Sequence, residues 1–340
     1  INRGSVIVNP AGGFNSGSQM NSGTIQKQTY HNYGLCQGHE AGVNPNGPLG
    51  MTFHNYAGAT VIGGLGMDIS SQATTLLTNA GTITGQWMNN PNPAQQVGPI
   101  GNWYTNPDRK PDHTIAVSMA GNNVLFNQQD GSINGDVAIS ASTSTLNVSG
   151  GVINGDILFR YMRSAAENES GVDTLNLTNG QIKGDVRMYA SNDVFNITGG
   201  SISGNTYLGD GNDTFSISNG TVTGNLNAGA GNDTATASGG ALIGNTLMGD
   251  GDDVTTLTGT VDVTAAPQFD GGVGTDVLNV DGLALRGFTA ASNDGTGNLT
   301  ETNNSNLTGW ETINVKNAGT LKLSNNLFTA ANTGTLNVDA

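Results

Sequence analysis

The sequence predicts an all-β solenoid, a parallel β-helix in which short strands wind into coils and each coil stacks on its neighbour. Three observations carry this prediction. From about Asn123 to about Asp253 the chain repeats with a period near twenty residues. Within each unit apolar and polar residues alternate as they do in half-buried strands. Asn-Gly or Gly-Gly turns and Gly-Asp or Gly-Asn corners recur at fixed offsets. The units DVFNITGGSISGNTYLGDGN (193–212), DTFSISNGTVTGNLNAGAGN (213–232) and DTATASGGALIGNTLMGDGD (233–252) align without a gap. A unit this short cannot bury its apolar face alone, so its coils must stack.

Taken in order, residues 1–122 form irregular early coils and a cap, among which GTITGQ (81–86) matches GTVTGN (220–225) of the regular part. A long loop over 86–113 interrupts them, because Pro91, Pro93, Pro99, Pro107 and Pro111 forbid regular pairing while Trp87, Trp103 and Tyr104 bring large apolar surface. Residues 123–279 are the regular coils. With the corner as origin, Asp136, Asp156, Asp185, Asn205, Asn225 and Asn245 fall at intervals of 20, 29, 20, 20 and 20. The long interval is a coil carrying about nine extra residues around Met162 to Ser170, a loop on one edge.

The same origin defines inward rows. Ile133, Ile153, Ile182, Ile202, Val222 and Leu242 stand three places before it, and Ile139, Phe159, Met188, Leu208, Ala228 and Met248 three places after. Ten places before it are Phe126, Leu146, Leu175, Phe195, Phe215 and Ala235, followed two residues on by Gln128, Val148, Leu177, Ile197, Ile217 and Ala237. Gln128 breaks that last row. Residues 280–340 finish the stack with flatter strands carrying Ile313, Val315, Leu321, Leu323, Leu336 and Val338. One continuous domain of 340 residues is expected, since a solenoid grows without enlarging its core.

Composition narrows the function classes. The formal charge of −15 repels a phosphate backbone and excludes nucleic acid as the main partner. Cys36 is the single cysteine, so neither an internal disulfide nor a paired-thiol metal site can form. No run approaches the roughly 18 apolar residues of a membrane-spanning helix. The chain starts at Ile1 and is expected to be a processed fragment.

Cations are scarce but concentrated. Of 11 Lys and Arg, six (Arg109, Lys110, Arg160, Arg163, Lys183 and Arg187) fall between positions 109 and 187. In the coil alignment Lys183 stacks on Asn154 and Arg187 on Leu158, beside the Asp136, Asp156 and Asp185 row. This predicts a mixed-charge groove, bordered by the 86–113 and 160–171 loops, with Asn205 continuing the row and Trp103 and Tyr104 at its edge. Its cations would hold sulfate or carboxylate groups and its Asp and Asn would hold sugar hydroxyls. Mutual neutralisation of stacked aspartates by nearby cations is the plainer reading of the same residues.

A second acidic row lies at GDGND (209–213), GAGND (229–233), GDGDD (249–253) and GGVGTD (271–276). These turns resemble the calcium-binding nonapeptide G-G-x-G-x-D of RTX proteins. Here they come once per coil rather than every nine residues, and Leu208, Ala228 and Met248 replace the first Gly. If calcium binds, Asp210, Asp213, Asp250 and Asp253 are the expected ligands; turn-forming residues without metal or cofactor are the default. A nucleophile with its base is absent from the pattern, and His31, His39, His54 and His113 are scattered. Asp156, Asp185, Arg160 and Arg187 could imitate the sites of pectate lyases and polygalacturonases, which share the β-helix, but that is analogy of fold. No enzymatic activity is expected.

The corners NGQIKGD (179–185) and NGTVTGN (219–225), the GDGNDTF turn and the closing stretch NLTGWETINVKNAGTLKLSNNLF (306–328) resemble the passenger of AIDA-type autotransporters of Gram-negative bacteria. The likeness covers 123–279 and about 306–340. It implies a right-handed, three-faced, pectin-lyase-like β-helix, secretion through the outer membrane, display on the cell surface, and a membrane β-barrel translocator that this chain lacks. It further implies a non-enzymatic adhesin binding host glycosaminoglycan or another polysaccharide, or a matrix protein such as fibronectin. Members that self-associate in aggregation and biofilm do so through polar ladders, for which Asn147, Asn176, Asn196, Ser216 and Thr236 would serve.

Overall fold

A computed structural model describes residues 5–8, 14–16, 28–38, 41–47, 50–63, 65–71, 73–85, 114–159, 171–263, 268–282, 299–300, 307–316, 321–322 and 334–339. The fold is all-β, with parallel strands stacked as a β-solenoid of about nine turns. Its contacts divide it into two compact units, residues 1–173 with 180–184, and residues 174–179 with 185–340.

In the first unit the coils contribute to three faces. One is built from Ser5–Val8, Leu35–Gly38, Thr60–Gly63, Thr82–Gly85, Ser132–Asn134, Val152–Ile153 and Gln181–Ile182. A second takes Phe14–Ser16, Ala41–Gly47, Leu65–Ser71 and the first halves of the long strands Ile115–Gln128 and Asp136–Val148. The third takes Gln28–Asn32, Met51–Asn55, Thr74–Asn79 and the second halves of those long strands. Val152 pairs with Gln181 and Ile153 with Ile182, so the 29-residue interval is an insertion within an otherwise regular register. Residues 160–170, which hold the insertion together with Arg160 and Arg163, and the whole 86–113 loop, with Trp103 and Tyr104, lie outside the described residues.

The second unit repeats the plan more strictly. Thr206–Asp210, Leu226–Ala230, Thr246–Asp250 and Phe269–Val273 pair in register, as do Val194–Ile197, Thr214–Ile217, Thr234–Ala237, Val254–Thr258, Val277–Asp281 and Thr312–Lys316. Ser201–Ile202, Thr221–Val222 and Ala241–Leu242 form the short-strand face. Thr335–Val338 pairs with Thr312–Lys316 and leaves Leu336 and Val338 exposed. Leu321 does not continue the stack: Leu321–Lys322 pairs with Leu299–Thr300 in a separate two-stranded sheet.

Every residue of the predicted inward rows is buried, from Ile133 at the corner-proximal row to Ala237 at the other. Each aliphatic or aromatic member contributes about 1.5–3 kcal/mol when fully buried. Phe195 and Phe215 meet edge to face at 5.7 Å in adjacent coils.

Gln128 is also fully buried, and the structure supplies the reason. It terminates a buried amide ladder in the first unit. Asn32 Nδ2 donates to Asn55 Oδ1 at 2.9 Å, Asn55 Nδ2 to Asn79 Oδ1 at 2.8 Å, and Asn79 Nδ2 to Gln128 Oε1 at 2.8 Å. Gln128 Nε2 closes the chain on the Asp130 carbonyl at 2.6 Å. A buried amide is tolerated only when its donors and acceptors are met, and stacking identical residues meets them.

Gly209, Gly229, Gly249 and Gly272 form a column with φ between +102° and +119°. A Cβ at Gly229 would lie 1.9 Å from the Gly209 carbonyl oxygen, so the coils are too close there for any side chain. One coil earlier the column holds Tyr189 at φ +74°, and the parallel Gly211 column begins with Ser191 at φ +100°. Both carry left-handed strain that glycine would not.

Candidate functional site

The Gly-Asp and Gly-Asn corners work as coil-to-coil joints. In the first unit the Asp156 N–H donates to the Asp136 carboxylate at 2.8 Å. In the second, Asn205 N–H donates to the Asp185 carboxylate, Asn225 N–H to Asn205 Oδ1 and Asn245 N–H to Asn225 Oδ1, each at 2.9 Å. A short acceptor at the corner thus captures the N–H one coil further on, a role that the side chains of Asp136, Asp185, Asn205 and Asn225 fill. Asp136, Asp156 and Asp185 are 1%, 2% and 7% exposed. Asp136 and Asp185, which the sequence offered as holders of sugar hydroxyls, each give one carboxylate oxygen to a joint.

In the first unit Asn154 and Lys183 are exposed, and Asn154 Nδ2 donates to Asn134 Oδ1 at 2.9 Å. The Lys183 N–H donates to the Ile153 carbonyl, which puts Lys183 in register with Asn154 as expected. In the second unit Arg187 is partly exposed and Asn205 half-buried. The Arg187 guanidinium lies 4.2 Å from the centre of the Tyr207 ring and 3.3 Å from the Asp185 carboxylate. Stacking and ion pairing both favour that orientation. The strained Tyr189 follows it by two residues.

The acidic turns of the second unit make two columns of opposite sense. Asn192, Asn212, Asn232 and Asp252 are exposed, and each accepts from the N–H of the next coil at 2.8–2.9 Å. Asp213, Asp233, Asp253 and Asp276 are at most 1% exposed, and each accepts from the N–H of the preceding coil at 2.7–2.8 Å. Glu311 ends the column by accepting from Asp276 N–H at 2.7 Å. One oxygen of each buried carboxylate is thereby used; Oδ2 of Asp213, Asp233, Asp253 and Asp276 has no hydrogen-bond partner. Burial pushes the Asp213 carboxyl up to about 6 and Asp233 up to about 7, with the neighbouring carboxylates adding to the rise. Asp276 rises to about 6 and Asp253 rises for the same cause.

The four expected calcium ligands are therefore split between environments. Asp213 and Asp253 sit in the buried column, two coils apart, whereas Asp210 and Asp250 are exposed. Among the described residues no three of His, Cys, Asp or Glu gather into a group that could hold a metal ion.

A cluster missed in the sequence is aromatic. His31 and His54, scattered by number, are paired in register on adjacent strands with their rings 5.1 Å apart. Tyr33 and Tyr56 stack beside them at 4.2 Å and 5°. The signal was present: His-Asn-Tyr occurs twice, at 31–33 and 54–56, 23 residues apart. Its middle residue enters the buried amide ladder, and alternation sends the flanking rings outward.

No known protein family, curated protein or solved structure matches this chain.

Proposed function

We propose that this protein is a non-enzymatic surface adhesin, of the kind carried as the passenger of AIDA-type autotransporters, that binds sulfated or carboxylated host glycans. One observation carries the reading. On a chain of net charge −15, Asp136 of the first unit and Asp185 of the second each spend a carboxylate oxygen on a coil joint, while Lys183 of the first unit is exposed and Arg187 of the second lies against Tyr207 and Asp185. Such cations suit anionic sugar groups, since the Arg fork can meet a sulfate or carboxylate with two parallel bonds. A matrix protein such as fibronectin is a second partner of the same surface class, and the cell surface is the proposed location.

The test is binding of heparin and chondroitin sulfate to the purified chain, with and without calcium, by surface plasmon resonance. Replacing Arg160, Arg163, Lys183 and Arg187 together with Ala should abolish saturable binding. Unchanged affinity in that variant would refute the assignment, and release of unsaturated uronides would make the protein a lyase instead.

Self-association is the second reading, favoured by a half-buried polar row on the second unit. Asn196 Nδ2 donates to Asn176 Oδ1 at 3.0 Å, Ser216 to Asn196 Oδ1 at 2.7 Å, and Asn314 Nδ2 to Asn279 Oδ1 at 2.8 Å. Concentration-dependent dimers abolished by Asn176→Asp with Asn196→Asp would support it, and a monomer at every concentration would remove it.

A further inference from the structure

The outward rings of the first unit form a stack that stops one layer short. Tyr56 N–H donates to the Asn32 carbonyl at 3.1 Å, Ala80 N–H to the Asn55 carbonyl at 2.8 Å, and Gln129 N–H to the Asn79 carbonyl at 2.7 Å. These bonds put Tyr33, Tyr56, Ala80 and Gln129 at one position of four successive coils. The neighbouring row runs His31, His54, Thr78 and Asn127 by the same register. The Tyr33 and Tyr56 rings lie 4.2 Å apart and nearly parallel, so they stack along the coil-to-coil direction. His31 Nδ1 and the Tyr56 hydroxyl are 3.0 Å apart, which ties the two layers together.

Beyond Tyr56 the position belongs to Ala80, which has only a methyl group. From Tyr56 to Gln129 are two coil intervals of about 4.8 Å each. That distance takes one more layer at the spacing seen between the two tyrosines. The resulting gap has the Tyr56 ring on one side, the exposed Gln129 on the other, and Ala80 with Thr78 behind. Asn127 borders it, its Oδ1 already accepting from Asn147 Nδ2 at 2.8 Å.

We propose that this gap binds one pyranose ring of a neutral glycan, with the sugar's C–H face stacked on Tyr56 and its hydroxyls bonded by Thr78, Asn127 and Gln129. A flat aromatic ligand fits the thickness but offers no hydroxyls to Thr78, Asn127 Nδ2 and Gln129, whereas a pyranose offers several. Charge selects a neutral sugar. Asp130 is exposed beside Gln129 and would repel a uronate or sulfate. Burial and the neighbouring His31 hold His54 below its ordinary value, so that ring stays uncharged near neutral pH. The site is independent of the cationic surface proposed above and would serve a different class of sugar.

The experiment uses the whole chain and a panel of lactose, maltose, cellobiose and mannobiose, followed by saturation-transfer-difference NMR and calorimetry. We expect at least one disaccharide to bind, with the strongest transfer to the C–H protons of one ring face. Tyr56→Ala should weaken it at least tenfold by removing the stacking partner. Ala80→Tyr should weaken it as much by completing the ladder, with circular dichroism unchanged, while both variants keep heparin binding as it is in the parent. Failure of every disaccharide to bind, or affinity surviving in either variant, overturns the proposal. Loss of heparin binding by the quadruple cation variant alone bears on the other site.

Discussion

The buried aspartate column makes the stability of the second unit fall as pH rises, and Asp233→Asn isolates that effect. Asp233 is 1% exposed, flanked by Asp213 and Asp253, and its carboxyl is pushed from 3.8 up to about 7. A carboxyl whose pKa is raised by folding binds more protons in the folded than in the unfolded chain across that window. Its penalty is therefore absent well below pH 3.8, grows as pH rises, and is complete above about pH 7. Three units at about 1.4 kcal/mol each set a ceiling near 4 kcal/mol, of which about 2–3 kcal/mol develops between pH 5 and 8. The adjacent Asn232 is exposed, and screening by solvent at that turn trims the expected change to about 2 kcal/mol. Asparagine keeps an oxygen to accept the Asp213 N–H, now made at 2.7 Å, but carries no charge. Urea midpoints by circular dichroism at pH 5, 6, 7 and 8 should show the variant gaining on the parent up to about pH 7 and levelling off by pH 8. Any constant offset from the new amide cancels in that comparison. A stability difference that is flat from pH 5 to 8, or that shrinks, would refute the account of the column.

Three further substitutions test the packing. Tyr189→Gly should raise stability by about 1 kcal/mol, because φ +74° is strained for tyrosine and relaxed for glycine; an unchanged or lower thermal midpoint would mean that the side chain's contacts outweigh the strain. Asn55→Ala removes the middle of the amide ladder, strands an Asn32 N–H and takes a donor from Asn79 Oδ1, which keeps the Gly81 N–H, and another from the Thr82 carbonyl, for a loss of about 2–4 kcal/mol in chemical denaturation; a loss below about 1 kcal/mol would show that the ladder adds little to stability. Gly229→Ala places a Cβ 1.9 Å from the Gly209 carbonyl at φ +119° and should cost at least about 3 kcal/mol, whereas near-parent stability would show that the coils separate easily.

Some of this protein was set by sequence alone. The twenty-residue period and its strict alternation can be satisfied only by stacking, so the β-solenoid and the inward rows from Ile133 to Ala237 follow from residue order. The 29-residue interval announced its own insertion, since a slip of register would have exposed Ile182, which is fully buried.

The corners were harder to read, because Gly-Asp is equally suited to a solvated turn and to a buried joint. Tertiary structure decided that Asp136, Asp156 and Asp185 bond to the neighbouring coil, and that adjacent residues such as Asn212 and Asp213 reach in opposite directions along the stack. It also decided that Gln128 completes a ladder with Asn32, Asn55 and Asn79, whose spacings of 23, 24 and 49 residues hide their common position. The same irregular spacing concealed the stacking of His31 on His54 and Tyr33 on Tyr56. The physical reason is common to all of them: alternation tells a chain which side of a strand a residue occupies, but only the coil rise and the register between coils bring like residues together and fix what each polar side chain can reach.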